Sequence, residues 1–382
     1  MTASNLLKSP STLSVAHQST ANLSEEEKMA WLRLIRTENV GPITFYQLLH
    51  RFKNAFDALK RLPKVAQSTG RRKPLLIPSL QETEAIYRTY QKKGIHLLAS
   101  REPAYPQALR ALHDAPPLLS AKGSLELLAS ESFSVVGGRN ASALGRETAY
   151  NWSKILGEAG LTIVSGLAEG IDTQAHKASL PTGTIAVLAN CINKPYPLEN
   201  TRLYEAIADR GLVISEAPLG TEPHASLFPR RNRLISGLSW GTLVVEAAAK
   251  SGSLLTAHYA LEQGRQVFVV PGHPQDPRSR GGNRLIQDGA TLCMEPQDML
   301  DARPTHRVAE ETLTYDNTAL EDTAVATARE KILPLISKSP TPIDNIQLLA
   351  QTNPALTRAA LVELTLAGLI HHTPSGQVFR AT

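Results

Sequence analysis

The stretch FSVVGGRNASALGRETAYNWSKILGEAGLTIVSGLAEG (Phe133–Gly170) decides the fold of this 382-residue chain. It opens with a β-branched run, Phe133–Val136, continues with a segment of helical length, Gly145–Ala159, that stops at Gly160, and returns to a second short run, Leu161–Val164. Short continuous apolar runs are typical of buried parallel strands, and glycine is a common helix stop. The pattern therefore predicts a parallel sheet covered by helices.

The same alternation continues towards the C-terminus. Further strands are predicted at Thr184–Leu188, Leu212–Ile214, Leu243–Val245 and Val267–Val270, and helices at Glu199–Asp209 and Ser253–Gln263. Alternating strands and helices indicate the α/β class. We predict a doubly wound parallel sheet over residues 96–300.

The segments before this domain differ in character. Residues 1–23 are polar and lack the apolar segment of a secretory signal, so we expect a disordered lead-in. Ser24 and Glu27 form a capping box, and apolar stripes at helical spacing follow. Residues 24–95 are therefore expected to form a small helical module, of the SAM-like or helix-hairpin-helix-like kind. Such a module either presents backbone amides to phosphate or serves only in packing.

The segments after the sheet also fall into two parts. Residues 301–328 lean acidic and are predicted to be a linker. Residues 329–382 have the order of a winged helix, with predicted helices at Ile332–Leu335, from Pro342 and from Asn353-Pro354, and a hairpin around Pro374-Ser375-Gly376. A winged helix usually suggests duplex DNA, but this one carries five basic and three acidic side chains, so a protein contact is equally open.

Composition excludes several classes of protein. No apolar run approaches the roughly 20 residues of a membrane span. Cys191 and Cys293 are the two cysteines, which argues against a disulfide framework or a zinc site and suits a cytoplasmic protein. We expect no cofactor and no metal. The net charge is +5, and residues 1–130 hold 18 Lys and Arg against 10 Asp and Glu. Residues 131–300 hold 15 basic against 16 acidic side chains, so any polyanion site there must come from local clusters of arginine.

Glycine and serine follow the predicted strands, where ligands of open α/β sheets bind. The candidate phosphate-binding residues are Gly137, Gly138, Arg139, Ser165, Gly166, Arg230, Arg231, Asn232, Arg233, Ser251, Gly252 and Ser253. Glycines let backbone amides approach an anion, and arginine forks suit phosphate oxygens. Neither the dinucleotide fingerprint nor the Walker phosphate loop is present, so those nucleotide sites are not supported.

Other polar residues in these loops have two interpretations each. Asp172 and His176 lie four apart and suggest catalysis or metal binding, but no further ligand follows at a suitable spacing, and a structural role in the loop is favoured. Glu216 and Glu246 end strands and are either acids or bases in catalysis or, as we favour, acceptors of hydrogen bonds from loop amides. Phe228 is either a stacking platform for a base or, as we favour, part of the core.

Several of these strings occur in an order that closely resembles the DNA processing protein A family, also called Smf. They are Gly137-Gly138-Arg139, Ser165–Asp172 with His176, Tyr196-Pro197 with Asn200, Phe228–Arg233, Ser251–Ala257 and Pro271-Gly272. The resemblance implies that residues 96–300 form an extended Rossmann-like domain that binds single-stranded DNA. It also implies a non-enzymatic protein that forms a homodimer, protects incoming strands in natural transformation and helps to load the RecA recombinase.

The resemblance also assigns roles to residues. Arg139 corresponds to the arginine of the family's Gly-Ser-Arg motif, and Arg230 and Arg233 to its Arg-Asn-Arg pair. Arg202 is expected to add a basic contact to the strand. Leu285 and Ile286 are a candidate dimer interface, with a place in the core as the alternative.

Two departures and two rival functions qualify this interpretation. Gly138 replaces the usual Ser or Thr, and Leu188–Asn193 replaces a Gly-rich segment, which leaves the roles of Ala189, Cys191 and Asn193 open. The first rival is a nucleotide-hydrolysing enzyme of the lysine-decarboxylase-like or phosphoribohydrolase type, whose Pro-Gly-Gly-x-Gly-Thr-x-x-Glu signature is missing. The second is a sensor of small nucleotides.

Overall fold

The central sheet is built from strands that, apart from the short β9, bury apolar side chains. The computed structural model describes residues 22–68, 73–304, 322–373 and 377–381. Within these residues the sheet has the strands β1 His96–Ala99, β2 Leu118–Gly123, β3 Ser132–Gly137, β4 Thr162–Ser165, β5 Thr184–Leu188, β6 Leu212–Ser215, β7 Gly241–Val245, β8 Gln266–Val269 and β9 Thr291–Leu292. Their order across the sheet is β1-β2-β6-β5-β4-β3-β7-β8-β9.

The strands from β3 to β9 pair in parallel, which confirms the predicted α/β fold and its six predicted strands. The sheet is nevertheless mixed, because β2 pairs antiparallel with β6 and β1 pairs antiparallel with β2. Strands β1, β2 and β9 lie outside the six that the sequence pattern predicted. The polar Ser120 and Lys122 break up the apolar run of β2, and β9 is too short to show a pattern.

Helices cover both faces of this sheet. They are α5 Gln107–Arg110, α6 Ala143–Glu158, α7 Ile171–Ser179, α8 Thr201–Arg210, α9 Leu227–Leu238, α10 Gly252–Glu262, α11 Arg280–Gln287 and α12 Pro296–Asp301. Since each parallel strand is followed by a helix, the loops that carry the candidate residues gather at the carboxyl edge of the sheet.

A helical module precedes the sheet and shares a core with it. It contains α1 Glu25–Ile35, α2 Pro42–Phe52, α3 Ala55–Ser68 and α4 Leu80–Lys92. The capping box of Ser24 and Glu27 is present, as predicted, and Ser79 and Glu82 form a second one at the start of α4, a helix that the sequence reasoning missed. The apolar core of the module continues onto Ala186 and Val213 of the sheet. The module is therefore packed on the sheet.

The C-terminal part has the predicted winged-helix order. Its helices are α13 Asp322–Ile332, α14 Ile343–Ala350 and α15 Pro354–Leu366, and its strands β10 Ile370–His372 and β11 Val378–Arg380 pair antiparallel. Helix α13 starts within the segment for which a linker was predicted, and residues 305–321 of that segment lie outside the described residues. No helix in the described ranges is long and apolar enough to cross a bilayer.

An aromatic cluster stabilises one face of the sheet and generates a first prediction. The ring of Phe133 is fully buried and lies 4.8 Å from that of Trp240 and 5.8 Å from that of Phe268, centroid to centroid. Replacing a buried phenylalanine by alanine removes these contacts and leaves a cavity. We expect Phe133→Ala to lower the free energy of unfolding of the central domain by about 3–5 kcal/mol, measured by urea unfolding followed through tryptophan fluorescence.

Phe56→Ala is the matched control, because Phe56 is 49% exposed. We expect it to change stability by less than about 1 kcal/mol. Equal losses in both variants would mean that the Phe133 cluster contributes no more than an exposed ring.

Candidate nucleic-acid interface

The turn after β3 brings Arg139 to the carboxyl edge. A Cβ atom on Gly137 would lie 2.0 Å from the carbonyl oxygen of Val245 and 2.6 Å from Cγ1 of Ile171, so only glycine fits there. The carbonyl oxygen of Gly138 accepts a hydrogen bond from the amide of Ile171 (3.3 Å). The two glycines therefore let the turn pack against β7 and α7, and the exposed Arg139 follows directly.

Arg139 lies over the ring of Phe228, which has the ring of Tyr196 beside it. Its guanidinium carbon lies 5.4 Å from the ring centroid of Phe228, and that ring lies 5.6 Å from the ring of Tyr196 at an interplanar angle of 51°. Together with Pro223, His224 and Ala225, the three residues line an open depression of about 430 Å³. We call this the Arg139 depression. It combines a cationic group with aromatic surface that solvent can reach.

Sequence reasoning placed Phe228 in the core and did not single out Tyr196 as a contact. The structure shows Phe228 half-buried, with its ring on the wall of the Arg139 depression, and Tyr196 exposed beside it. A signal was available, because both aromatic residues directly precede a proline that lies at the start of a helix or in its first turn. Proline at a helix start fixes the backbone and so helps to fix the ring before it.

The guanidinium of Arg231 forms the floor beneath this edge. It is buried and donates hydrogen bonds from Nη1 to the carbonyl oxygens of Gly166 (2.5 Å) and Val187 (2.6 Å). Burial lowers its pKa to about 10, against the opposing effect of Asp172 and with a smaller contribution from the charge of Arg139. A Cβ atom on Gly166 would lie 2.1 Å from Nη1, so the Ser165-Gly166 turn makes room for the arginine.

The Arg-Asn-Arg string of α9 needs a correction. The string is formed by Arg231, Asn232 and Arg233, so Arg231, rather than Arg230, takes its first position. Arg231 is buried within the protein, whereas Arg230 is exposed in the first turn of α9. Of the two, Arg230 is the one whose charge faces solvent.

Arg233 is engaged inside the protein. Its side chain is buried and pairs with Glu216, and its Nε atom lies 3.3 Å from Oδ2 of Asp114. Burial disfavours its charge, but Glu216 and Asp114 outweigh this effect and raise the pKa of Arg233. Because its fork is held by two carboxylates, Arg233 fixes α9 to the loop after β6 and does not line the Arg139 depression.

The remaining candidates lie outside this depression. Asn232 donates to the carbonyl oxygen of Gly252 (3.2 Å) and so joins α9 to the start of α10. There the hydroxyl oxygens of Ser251 and Ser253 lie 2.7 Å apart, with Ser253 buried. Arg202 is exposed on α8.

The two candidate dimer residues differ in exposure. Leu285 is buried in the core that includes Val267 and Val269 of β8. A place in the core was the alternative to the dimer interface in the sequence analysis. Ile286 packs half-buried against the same core. Burial of Leu285 leaves Ile286 as the member of the pair that solvent reaches.

Asp172 and His176 support the loop after β4. Oδ2 of Asp172 accepts hydrogen bonds from the amides of Gly166 (3.1 Å) and Ala168 (3.3 Å). Nε2 of His176 accepts from the amide of Leu167 (3.3 Å), so its Nδ1 carries the proton and donates to Thr184 (2.7 Å). Burial raises the pKa of Asp172 and lowers that of His176 to about 3. These contacts agree with the structural interpretation.

Glu246 occupies the start of α6. Its carboxylate accepts hydrogen bonds from the amide of Ser142 (2.7 Å) and from the Ser142 hydroxyl, and a Cβ atom on Gly145 would lie 2.5 Å from the carboxylate carbon. In nucleotide-binding α/β proteins, a phosphate sits at this first helix start. Here the protein's own anion fills the position, and Glu246 has a φ of 50° to reach it.

This geometry can be compared with known proteins. The family model for DNA recombination-mediator protein A matches residues 96–304, and models for a DprA-like N-terminal HHH domain and a DprA winged helix domain match residues 25–85 and 317–376. The chain belongs to the DNA recombination-mediator protein A family. The predicted resemblance to DNA processing protein A is thereby confirmed, as are the helix-hairpin-helix-like module and the winged helix.

Relatives in this family are similar over most of the chain. Protein Smf of Escherichia coli is 40% identical over 290 residues, which cover 74% of this chain and 77% of that protein. The crystal structure of DNA processing protein A from Streptococcus pneumoniae superposes with a TM-score of 0.62 at 34% identity, covering 75% of this chain and all of that one. A structure of the Helicobacter pylori protein, described for its single-stranded DNA binding mode, superposes with a TM-score of 0.51 at 28% identity, covering 55% and 94% of the two chains.

The buried His176 generates a pH prediction. Its pKa of about 3 in the folded state lies below the unfolded value of 6.5, so between these pH values the unfolded state binds the additional proton. The stabilising contribution is therefore complete above pH 6.5 and falls as the pH drops, by up to about 1.4 kcal/mol per pH unit. We expect the stability advantage of the wild type over His176→Gln to shrink between pH 7 and pH 5, in urea unfolding followed by circular dichroism.

His258→Gln is the control, because His258 is exposed on α10. Its free energy of unfolding is expected to follow that of the wild type at every pH. Wild-type and His176→Gln curves that stay parallel across this range would mean that His176 does not titrate between the two states.

Proposed function

We propose that this chain binds single-stranded DNA at the Arg139 depression without altering it chemically. The observation that carries the proposal is the exposed Arg139 over the ring of Phe228, with Tyr196 beside that ring, at the carboxyl edge of an open α/β sheet. Proteins that bind single strands without sequence preference combine cationic groups for the backbone with aromatic rings on which bases stack. A duplex keeps its bases stacked inside, so this surface favours an unpaired strand.

The path of the strand follows from the exposed charges. Arg139 and Arg230 are exposed to solvent, whereas Arg231 and Arg233 are held by protein atoms. We assign phosphate contacts to Arg139 and Arg230, and a positioning role to Arg231 and Arg233. Arg202 and the start of α10 extend this edge on either side of the depression. The Helicobacter pylori relative, described for single-stranded DNA binding, supports the choice of ligand.

The rival nucleotide functions have less support. Glu246 fills the helix start at which a nucleotide phosphate would sit, and a second anion there would meet its carboxylate. Asp172 and His176 are buried in hydrogen bonds to the loop after β4 and present no reactive group to the depression. Both features favour a strand across the edge over a nucleotide inside it.

The wider role rests on membership of a family of DNA-processing and recombination-mediator proteins. We propose that the chain protects incoming strands in natural transformation, helps to load the RecA recombinase and acts as a homodimer. For the dimer, the half-buried Ile286 and the exposed Leu292 and Met294 form an apolar surface at the β9 end of the sheet. An exposed edge strand with apolar neighbours favours pairing with another chain.

Removing the charge of Arg139 tests the proposed site. We expect Arg139→Ala to lower affinity for an unstructured oligonucleotide by about ten- to a hundredfold, since a charge-assisted contact contributes roughly 1.5–3 kcal/mol. The slope of log affinity against log salt should fall by about one, the value for one phosphate contact. Fluorescence anisotropy of a labelled strand across a salt series measures both quantities, and the duplex of the same sequence shows the preference.

Arg210→Ala provides the matched control, because Arg210 is an exposed arginine in the last turn of α8, at the opposite edge of the sheet. Its affinity and salt slope are expected to equal those of the wild type. Equal losses of affinity in both variants would mean that binding depends on the net charge of the protein and not on the Arg139 depression. No loss in Arg139→Ala would reject the assigned site.

Loading of the recombinase is tested on the same variant. We expect the wild type to shorten the lag in ATP hydrolysis by RecA on single strands already coated with a single-strand-binding protein, because a mediator must hold the strand during exchange. Arg139→Ala should leave the lag long. A wild type that binds the strand but does not shorten the lag would refute loading and leave strand binding intact.

A further inference from the structure

Helix α15 of the winged helix is covered on two sides. Every residue from Ala359 to Leu366 is buried, including Glu363 and Thr365. One side takes part in the core of the winged helix itself, through Ala360, Leu361 and Leu364. A winged helix on its own has only this one core, so something else covers the second side.

The cover of the second side is the N-terminal helical module. Val362 and Leu366 belong to the apolar core that contains Leu48 and Phe52 of α2, and not to the core of the winged helix. Helices α2 and α3 both contact α15. The two terminal parts of the chain therefore meet through an apolar stripe on each.

An ionic cluster lies beside this stripe. Oε1 of Glu363 lies 2.7 Å from Nη1 of Arg51 on α2, and Oε2 lies 2.8 Å from Nη1 of Arg329 on α13. The Glu363 side chain is only 6% exposed. A buried carboxylate that loses a partner is strongly destabilising. Arg51 belongs to the helical module, so the pair with Glu363 stabilises the contact between this module and α15.

The same face is poorly suited to DNA. In helix-turn-helix domains, the helix in the position of α15 enters the major groove and places polar side chains against base edges. Here that helix presents Val362, Leu366 and the acidic Glu363, and its basic residue is Arg358 near its start. An acidic group opposes the phosphate backbone, whose attraction to basic side chains dominates DNA affinity.

We propose that α15 is a protein-recognition helix, and that its partner is the helical module of the same chain, bound through Val362, Leu366 and the Arg51–Glu363 pair. The surface that α15 binds is formed by the apolar sides of α2 and α3, with Arg51 beside them. The winged helix thus joins the two ends of the chain into one body beside the strand-binding domain. This inference does not depend on the Arg139 depression.

Spin labels in the full chain test the docking. Lys92→Cys on α4 and Lys338→Cys on the winged helix are exposed labelling positions, and the native Cys191 and Cys293 are buried. Double electron–electron resonance between the labels should give one narrow distance peak in the otherwise wild-type chain. Val362→Asp should abolish this peak, because it puts a second acid into the interface while sparing the winged-helix core. Arg51→Glu should do the same from the other side.

Leu349→Asp is the matched control, since Leu349 is 65% exposed on α14 of the same domain. It should keep the narrow peak, and all three variants should keep wild-type affinity for whatever strand the central domain binds. A broad distribution in the parent chain, or a narrow peak that survives both Val362→Asp and Arg51→Glu, would overturn the docking. A tenfold or greater loss of duplex affinity in Arg358→Ala, read as about 1.4 kcal/mol, would overturn the assignment of α15 to protein recognition.

Discussion

The carbonyl groups of Gly166 and Val187 converge on one buried guanidinium, that of Arg231, and the carboxyl edge of the sheet is organised around this contact. These two hydrogen bonds join the turn after β4 and the end of β5 to α9, which also carries the Phe228 ring. Burial lowers the pKa of Arg231, and the nearby carboxylate of Asp172 opposes this effect. The same carboxylate accepts a hydrogen bond from the amide of Gly166. Because a buried cation that loses its partners is strongly destabilising, the two backbone segments that bind Nη1 of Arg231 are held in place. The surface above Arg231 is held in place for the same reason.

Internal pairing also determines which charges reach solvent. Glu246 holds the start of α6, Glu216 and Asp114 hold Arg233, and Asp172 stands near Arg231. Each carboxylate satisfies groups that would otherwise attract an external anion. Arg139 and Arg230 are not enclosed in this way, so the positive potential of the edge is concentrated at the aromatic depression. Residues 131–300 hold 16 acidic and 15 basic side chains, so this region has no net positive charge. Exposed arginines can still make a part of its surface positive.

The sequence predicted those parts of the molecule that depend on local patterns. Continuous apolar runs identified the six buried parallel strands, and Ser24 with Glu27 identified the start of α1, because periodicity and capping act within a few residues. The patterns failed for β2, whose Ser120 and Lys122 are tolerated because it pairs antiparallel near the sheet margin. They also could not distinguish Arg231 and Arg233 from Arg230, since a string of arginines does not show which ones turn inward. That choice depends on Gly166 and Glu216, which are distant in sequence.

The contact between α2 and α15 has a consequence for the order in which the molecule assembles. Arg51 and Glu363 are separated by 312 positions, and closing so long a loop carries an entropic penalty of roughly 5 kcal/mol that grows only slowly with length. The helical module and the sheet have many shorter-range contacts and need not wait for this one. During synthesis from the N-terminus, α15 is also among the last helices to leave the ribosome. The side of α2 that α15 covers is therefore exposed throughout translation, and joining the chain ends is the step that finally shields it.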